Sequence, residues 1–395
     1  MTTAARHHGV TTKEFTKGAR AISDIASSII GIVATADDAD DKQFPLNTPV
    51  FHTSAYRALA SAGEKGTLAK SLDAICDQAD AQIIVVRVPH ADDAEEQRNH
   101  IIGSATGGVY TGIKALRRAR AVTGYTPKIL GVPMLDSQSV IAELAGVAQE
   151  TRAFIYASAG NNPDISAVAN YRKNFGQREI MLIDNQFIDD KGEDDATIAR
   201  ILGARAKLDT QIGWHKTISN TVINGVSQLK LPRSFDLLDD KCDANTLNNA
   251  DVTTLIRENG FRTWGNRTCS EDPMMAFEST VRSAQIIQET IASSFLWAMD
   301  KPMHPSLLED IIMGINAKLS EYVYKGMLLG ARVFVDANKN QATNVQAGQF
   351  TFGYEFTAVP PLENLVLEQY VSDTFFVNLT NKVVSFANSL KATTI

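Results

Sequence analysis

The chain has 395 residues, 44% hydrophobic and 21% charged, enough for two or three ordinary globular domains, each with its own core. Its net charge of -7 excludes the basic footprint of a non-specific DNA binder, and no run of about 18 apolar residues is present to span a bilayer. Three widely spaced cysteines (Cys76, Cys242, Cys269) form no CxxC pair, and the start of the chain has no apolar leader, so folding in a reducing cytoplasm without a disulfide framework is expected.

Residues 1–28 carry little periodicity. Within them Val10, Thr11, Thr12, Lys13, Glu14 and Phe15 form a short β-prone run. It reads as a frayed tail or as an arm that pairs with another chain's sheet edge.

Residues 29–210 alternate apolar runs (29–34, 82–88, 128–132, 152–157, 179–183) with helical patterns near 66–79, 103–122, 136–149, 164–174 and 194–208. Short continuous apolar runs separated by helices predict an α/β core with a mostly parallel sheet. Residues 211–270 read as irregular and polar. Residues 273–300 form an amphipathic helix on Phe277, Val281, Ala284, Ile287, Ile291 and Phe295, and a second helix spans 305–329. After Gly330 the period changes to two, which predicts a hairpin over 331–357. Pro360 and Pro361 break the strand; 365–370 reads as extended and 373–383 as a last short helix. The fold class is thus an α/β core, an α+β C-terminal domain and extended terminal arms, divided as 1–28, 29–210, 211–382 and 383–395.

No intact catalytic or metal-binding pattern emerges, so no catalytic residue, metal ligand or cofactor site is assigned. The stretch from Gly107 to Lys114 lacks the Gly-Lys-Ser/Thr ending of a phosphate-binding loop, because Ile113 intervenes and Ala115 follows. Asp336, Asn338 and Asn340 have the spacing of a calcium loop, but its sixth and twelfth positions hold Gln341 and Ala347. The acid runs at 37–41 and 184–195 read as solvated loops. The seven histidines show no ligand spacing, and no Gly-x-Ser-x-Gly elbow is present.

Runs spread along the whole chain resemble the tail sheath proteins of temperate contractile-tailed enterobacterial phages, with R-type pyocin sheaths as relatives. They lie at 7–11, 44–50, 128–133, 174–179, 213–217, 247–250, 253–257 and 359–364. The strongest is Gly260-Phe261-Arg262-Thr263-Trp264-Gly265-Asn266-Arg267-Thr268.

The resemblance implies hexameric rings stacked helically around a tail tube, with partners in the tube, baseplate and tail terminator proteins. It implies a virion component assembled in the host cytoplasm, with no direct nucleic acid contact and no membrane insertion. It implies contraction that drives the tube through the envelope without consuming nucleotide or metal. The C-terminal domain would face the tube, and the two arms would add strands to a neighbour's sheet. On that basis the arm residues are Val10 to Phe15 with Val383, Val384 and Phe386. The receiving sheet carries Val333, Val335, Phe352, Tyr354 and Phe356. The helix at 305–329 is expected to expose Lys318, Glu321 and Lys325, either as a solvated face or as a tube contact. The rival reading is a cytoplasmic enzyme with a ligand site on the βαβ core.

Overall fold

The structure, a computed structural model, describes residues 22–189 and 191–390. One compact unit extends to Pro361 and a second begins at Leu362.

The core of the first unit comprises β1 (Ile30–Thr35), β2 (Val50–His52), α1 (Leu68–Cys76), β3 (Ile83–Val88), α2 (Ala94–Ile102), β4 (Ile129–Gly131), α3 (Gln138–Thr151), β5 (Phe154–Ser158), α4 (Ile165–Arg172), β6 (Ile180–Ile183) and α5 (Thr197–Gln211). The six strands lie in the order β2-β3-β1-β4-β5-β6, all parallel except β2 against β3. Every residue of β1 and β3 is buried, which explains sequences that are apolar except for Thr35 and Arg87. Alternate side chains feed opposite layers. Ile30 and Ile32 pack with Leu72, Ile75 and Leu202, whereas Ile29 and Val33 pack with Leu116, Ile141 and Leu144.

The expected strands are found within one or two residues, but the expected helix at 103–122 is not. Residues 105–110 form a small hairpin, followed by a 3-10 turn (Gly112–Arg118) and a short helix (Ala119–Thr123). Three glycines cause this. Gly107 and Gly108 turn the hairpin at φ 60 and 83, and at Gly103 (φ 66) a Cβ would sit 2.0 Å from the Thr111 carbonyl. The unanticipated α2 starts where the Asp93 carboxylate accepts from the Glu95 and Glu96 amides (3.0 and 2.9 Å). Only Gln97 and Ile101 of α2 are buried, so its apolar periodicity is faint.

Residues 211–270 are less irregular than expected. Here β7 (Val222–Ile223), β8 (Thr254–Arg257) and β9 (Phe261–Trp264) form an antiparallel sheet in the order β7-β9-β8. The residue before β8 closes the open edge of β6: Thr253 N donates to Leu182 O (2.9 Å) and its carbonyl accepts from Asp184 N (2.7 Å). A third layer follows, made of α6 (Glu278–Ser294), α7 (Pro305–Tyr324) and the antiparallel pair β10 (Leu328–Phe334) and β11 (Gly353–Ala358). Ile287, Ile291, Ile315 and Leu319 are central to its core. In the second unit, residues 362–372 form no regular element and α8 (Thr374–Ser389) has no buried residue.

Helix α5 lies close on α1. A Cβ added at Gly203 would approach the backbone oxygen of Ile75 to 2.9 Å. Backbone cannot swing aside as a side-chain end can, so Gly203→Val should lower stability by about 1–3 kcal/mol. Denaturant unfolding of the full chain measures this, and an unchanged midpoint would contradict the close packing.

Candidate assembly surface

One face of α6 carries Glu278, Arg282, Gln285 and Glu289, spaced four, three and four apart and all buried. This stripe meets the α/β core. The Glu278 carboxylate accepts from Arg205 Nη1 on α5 (3.0 Å), the Tyr156 hydroxyl on β5, Thr217 Oγ1 (3.0 Å) and Ile218 N (2.9 Å). Arg205 Nη2 also donates to Asp209 (2.5 Å), and Arg282 pairs with the other oxygen of Asp209. Two cations and two anions thus close on each other. Burial pushes the Glu278 carboxyl up, but Arg205, Arg282, the Tyr156 hydroxyl and Ile218 N outweigh it and hold it below its ordinary 4.5. Farther along α6, Gln285 donates to Ala153 O (2.9 Å), and Glu289 accepts from Lys128 and from Arg152 Nε (3.0 Å). Burial pushes the Lys128 ammonium down to about 8 despite that partner. The third layer is therefore bolted to the core sheet by α6.

The described chain begins on this layer. Ile22 and Ile25 pack on its core, the Tyr322 hydroxyl donates to Asp24, and Arg282 Nη2 reaches Ser27 O (3.4 Å). The expected arm residues Val10, Thr11, Thr12, Lys13, Glu14 and Phe15 lie outside the described residues.

The expected receiving sheet falls on the β10–β11 pair. Val333, Tyr354 and Phe356 lie in β10 and β11, while Val335 and Phe352 fall just beyond the strand ends. Val333, Phe352, Tyr354 and Phe356 rest on the third-layer core yet stay only half-buried. Among the described residues β10 and β11 pair only with each other, so each has an open outer edge. Between them the calcium-like stretch is a capped turn: the Asp336 carboxylate accepts from Asn338 N (2.9 Å), and Asn340 bridges Asp336 O (2.9 Å) and Thr351 (2.7 and 2.9 Å).

Two expectations are corrected. Val383, Val384 and Phe386 are not extended but lie in α8, and the expected boundary at 383 falls inside that helix. Apolar residues at 375, 376, 379, 383 and 386 recur at three- and four-residue spacing, which outweighs the strand preference of two adjacent valines. Lys318 is not on an exposed face. It is 5% exposed, with its ammonium 3.0 Å from both Asp24 and Glu321 and 4.9 Å from the Tyr322 ring centre. The returning N-terminal segment covers it. Glu321 and Lys325 are more open and paired with each other.

The expected sites did not include Tyr156, Arg205, Asp209, Glu278 and Arg282. Their signal was the polar stripe at 278, 282, 285 and 289 opposite an isoleucine face; nothing local identified its partners. Removing one member strands the others, so Glu278→Ala should cost about 3–5 kcal/mol. The depressed Glu278 pKa stabilises fully above about pH 4.5 and is lost as pH falls through its lower folded value. Glu278→Gln should therefore flatten the acid limb of the stability profile, which thermal melts across pH 3–6 would show; an acid limb as steep as wild type would refute it.

Residues 108–269 match the phage tail sheath protein central domain, and residues 270–372 match the phage tail sheath C-terminal domain. The tail sheath protein of Escherichia phage P2 is 45% identical over 391 residues, covering 96% of this chain and 99% of its own length. The major tail sheath protein of Serratia phage KSP20 is 42% identical, covering 93% and 96%. Among solved structures, the sheath complex of an extracellular contractile injection system in the contracted state superposes with a TM-score of 0.71 at 16% identity, over 94% of this chain and 99% of that one. The contracted helical sheath of the anti-feeding prophage gives 0.69 at 17% identity, over 93% and 100%. These two likenesses show a shared fold, and with the sequence relatives they establish that the chain belongs to the phage tail sheath protein family, structural proteins of contractile phage tails.

Proposed function

We propose that the chain polymerises with copies of itself as hexameric rings stacked helically around a tail tube. Contraction of this sheath would drive the tube through the host envelope. The protein would assemble in the host cytoplasm and remain in the virion, between baseplate and tail terminator proteins. The observation that carries this reading is the β10–β11 pair, with both outer edges unpaired among the described residues and a half-covered apolar face. Such an edge recruits strands, and a head-to-tail contact between different surfaces generates rings and helices. The similar anti-feeding prophage chains come from a contracted sheath and a six-fold symmetrised baseplate, which supports the same arrangement.

Val10 to Phe15 remain the N-terminal strand donor in this proposal. The C-terminal donor moves from 383–386 to the exposed stretch before α8, where Leu365, Val366, Leu367, Tyr370 and Val371 are β-prone and free of regular structure. A tube contact would fall to Glu321 and Lys325, without Lys318. Because α6 is bolted to the core, subunits would move as near-rigid bodies on pliable arms. A difference on the order of a few kcal/mol per subunit, summed over many subunits, would make firing irreversible.

The enzyme alternative is disfavoured by what fills the C-terminal ends of the core strands. Thr67 Oγ1 accepts from Thr35 N at the end of β1 (3.1 Å), and Arg87 Nη1 donates to Ala36 O (3.0 Å). Asn47 N donates to Arg87 O on β3 (2.7 Å). At these two strands protein groups already occupy positions where a ligand would bind.

Deleting residues 1–20 should leave the cooperative unfolding transition in place and abolish tubes in negative-stain micrographs of the purified protein. Long tubes from the truncated chain would rule out the N-terminal arm as a required joint.

A further inference from the structure

The loop 213–218 joins the α/β core to the third layer, and the charged array holds it along its length. Arg205 Nη2 donates to Gly213 O (3.2 Å) and Arg205 Nη1 to Lys216 O (2.6 Å), so one guanidinium grips the backbone on either side of His215. Thr217 Oγ1 and Ile218 N continue to the Glu278 carboxylate. On the other side Trp214, 4% exposed, lies edge-on to the Tyr322 ring of α7 with centres 5.3 Å apart, and Tyr322 is the residue that holds Asp24. Core, third layer and N-terminal segment therefore meet at this loop.

His215 is folded back into it. Its imidazole is half-buried and edge-on to Trp214, with ring centres 5.8 Å apart. Its Nδ1 faces Gly213 (φ 129) so closely that a Cβ there would sit 2.9 Å from it and 3.0 Å from the Met327 methyl. That nitrogen is shut off from solvent and, among the described residues, meets no hydrogen-bond partner. A neutral ring tolerates this, since its proton can sit on Nε2 and leave Nδ1 a bare lone pair. A charged ring does not: it carries N–H on both nitrogens, so a buried donor would be stranded. The surrounding charges offer no relief. Arg205 and Lys216 are positive, and Asp209 is already taken by Arg205 and Arg282. Burial first, and then Arg205, hold the imidazole below its ordinary 6.5, with Asp209 opposing them and Lys216 adding to them.

We propose that His215 is an acid-sensitive catch: its protonation frees the 213–218 loop from Arg205 and loosens the joint between the α/β core and the C-terminal layer. The closed loop binds the proton less well than an opened one, so it is fully favoured above about pH 6.5 and gives way as pH falls below that value. This response lies above that of Glu278, whose carboxyl titrates below 4.5. The catch is complete within one subunit, so it operates whether or not the chain polymerises.

Three measurements on the full-length protein test it. Exchange of the ring C2 hydrogen, followed by mass spectrometry, titrates each histidine of the wild-type chain separately. His215 should titrate below 6.5, and a midpoint at or above 6.5 would overturn the proposal. Backbone amide exchange reads the loop. Corrected for its intrinsic pH dependence, exchange over 213–218 should accelerate several-fold between about pH 7.5 and 5.5, with a ceiling of about tenfold because pH 5.5 is one unit below the ordinary imidazole value. His215→Gln, which stays neutral, should remove most of that acceleration. Trp214 emission supplies a spectroscopic mark: an imidazolium quenches an adjacent indole, so wild-type fluorescence should fall over the same range and that of the variant should not. Loop exchange in wild type that ignores this pH range would refute the catch. Equal acceleration in wild type and His215→Gln would assign the acid response to another group and refute it as well.

Discussion

Four charges closed on one another inside the protein set the terms for the rest of its architecture. Isolated in that interior, any one of Arg205, Asp209, Glu278 or Arg282 would cost several kcal/mol to desolvate. Together they compensate, but only if α5, α6, the 213–218 loop and β5 meet in one arrangement. Apolar surfaces tolerate sliding; this array does not, because each displacement leaves a buried donor or acceptor without its partner. The position of α6 fixes that of α7, and α7 supports β10, β11 and the N-terminal segment.

This locked interior contrasts with the C-terminal layer. The α/β sheet has one edge closed by Thr253, and loops cover the ends of β1 and β3. The C-terminal layer has open strand edges, half-covered aromatics and exposed methionines. A subunit built this way has a rigid majority and an unfinished minority. The unfinished surface is what a polymer can complete.

Much of the core could be read from sequence because strands buried on both faces become near-continuous apolar runs, and β1, β3, β4, β5 and β6 do so with Arg87 the one charged interruption. The misreadings have local causes. Glycines at 103, 107 and 108 defeat a helical pattern through backbone geometry that periodicity does not register. Val383 and Val384 suggest a strand until their spacing from Phe376 and Leu379 is weighed. Lys318 looks like surface because the segment that covers it lies near the other end of the chain. The Glu278 array was hidden for the same reason: its members come from positions 156 to 282. The strongest family resemblance, around Gly260 to Thr268, falls on β9 and its turns. Gly265 there has φ 134, and a Cβ would sit 2.6 Å from Asn248. That run records how the core is closed, so it identified the family without locating its contact surface.

The attachment of Asp24 to Tyr322 and Lys318 has a mechanical consequence. The chain reaches this anchor before it enters β1, the central strand of the core. Tension applied through the preceding residues is delivered to α7 at Ile22 and Asp24, and β1 stays unloaded behind them. The anchor works as a strain relief: force transmitted along a row of subunits would pass through the C-terminal layer and bypass the hydrogen-bond ladder of the six-stranded sheet.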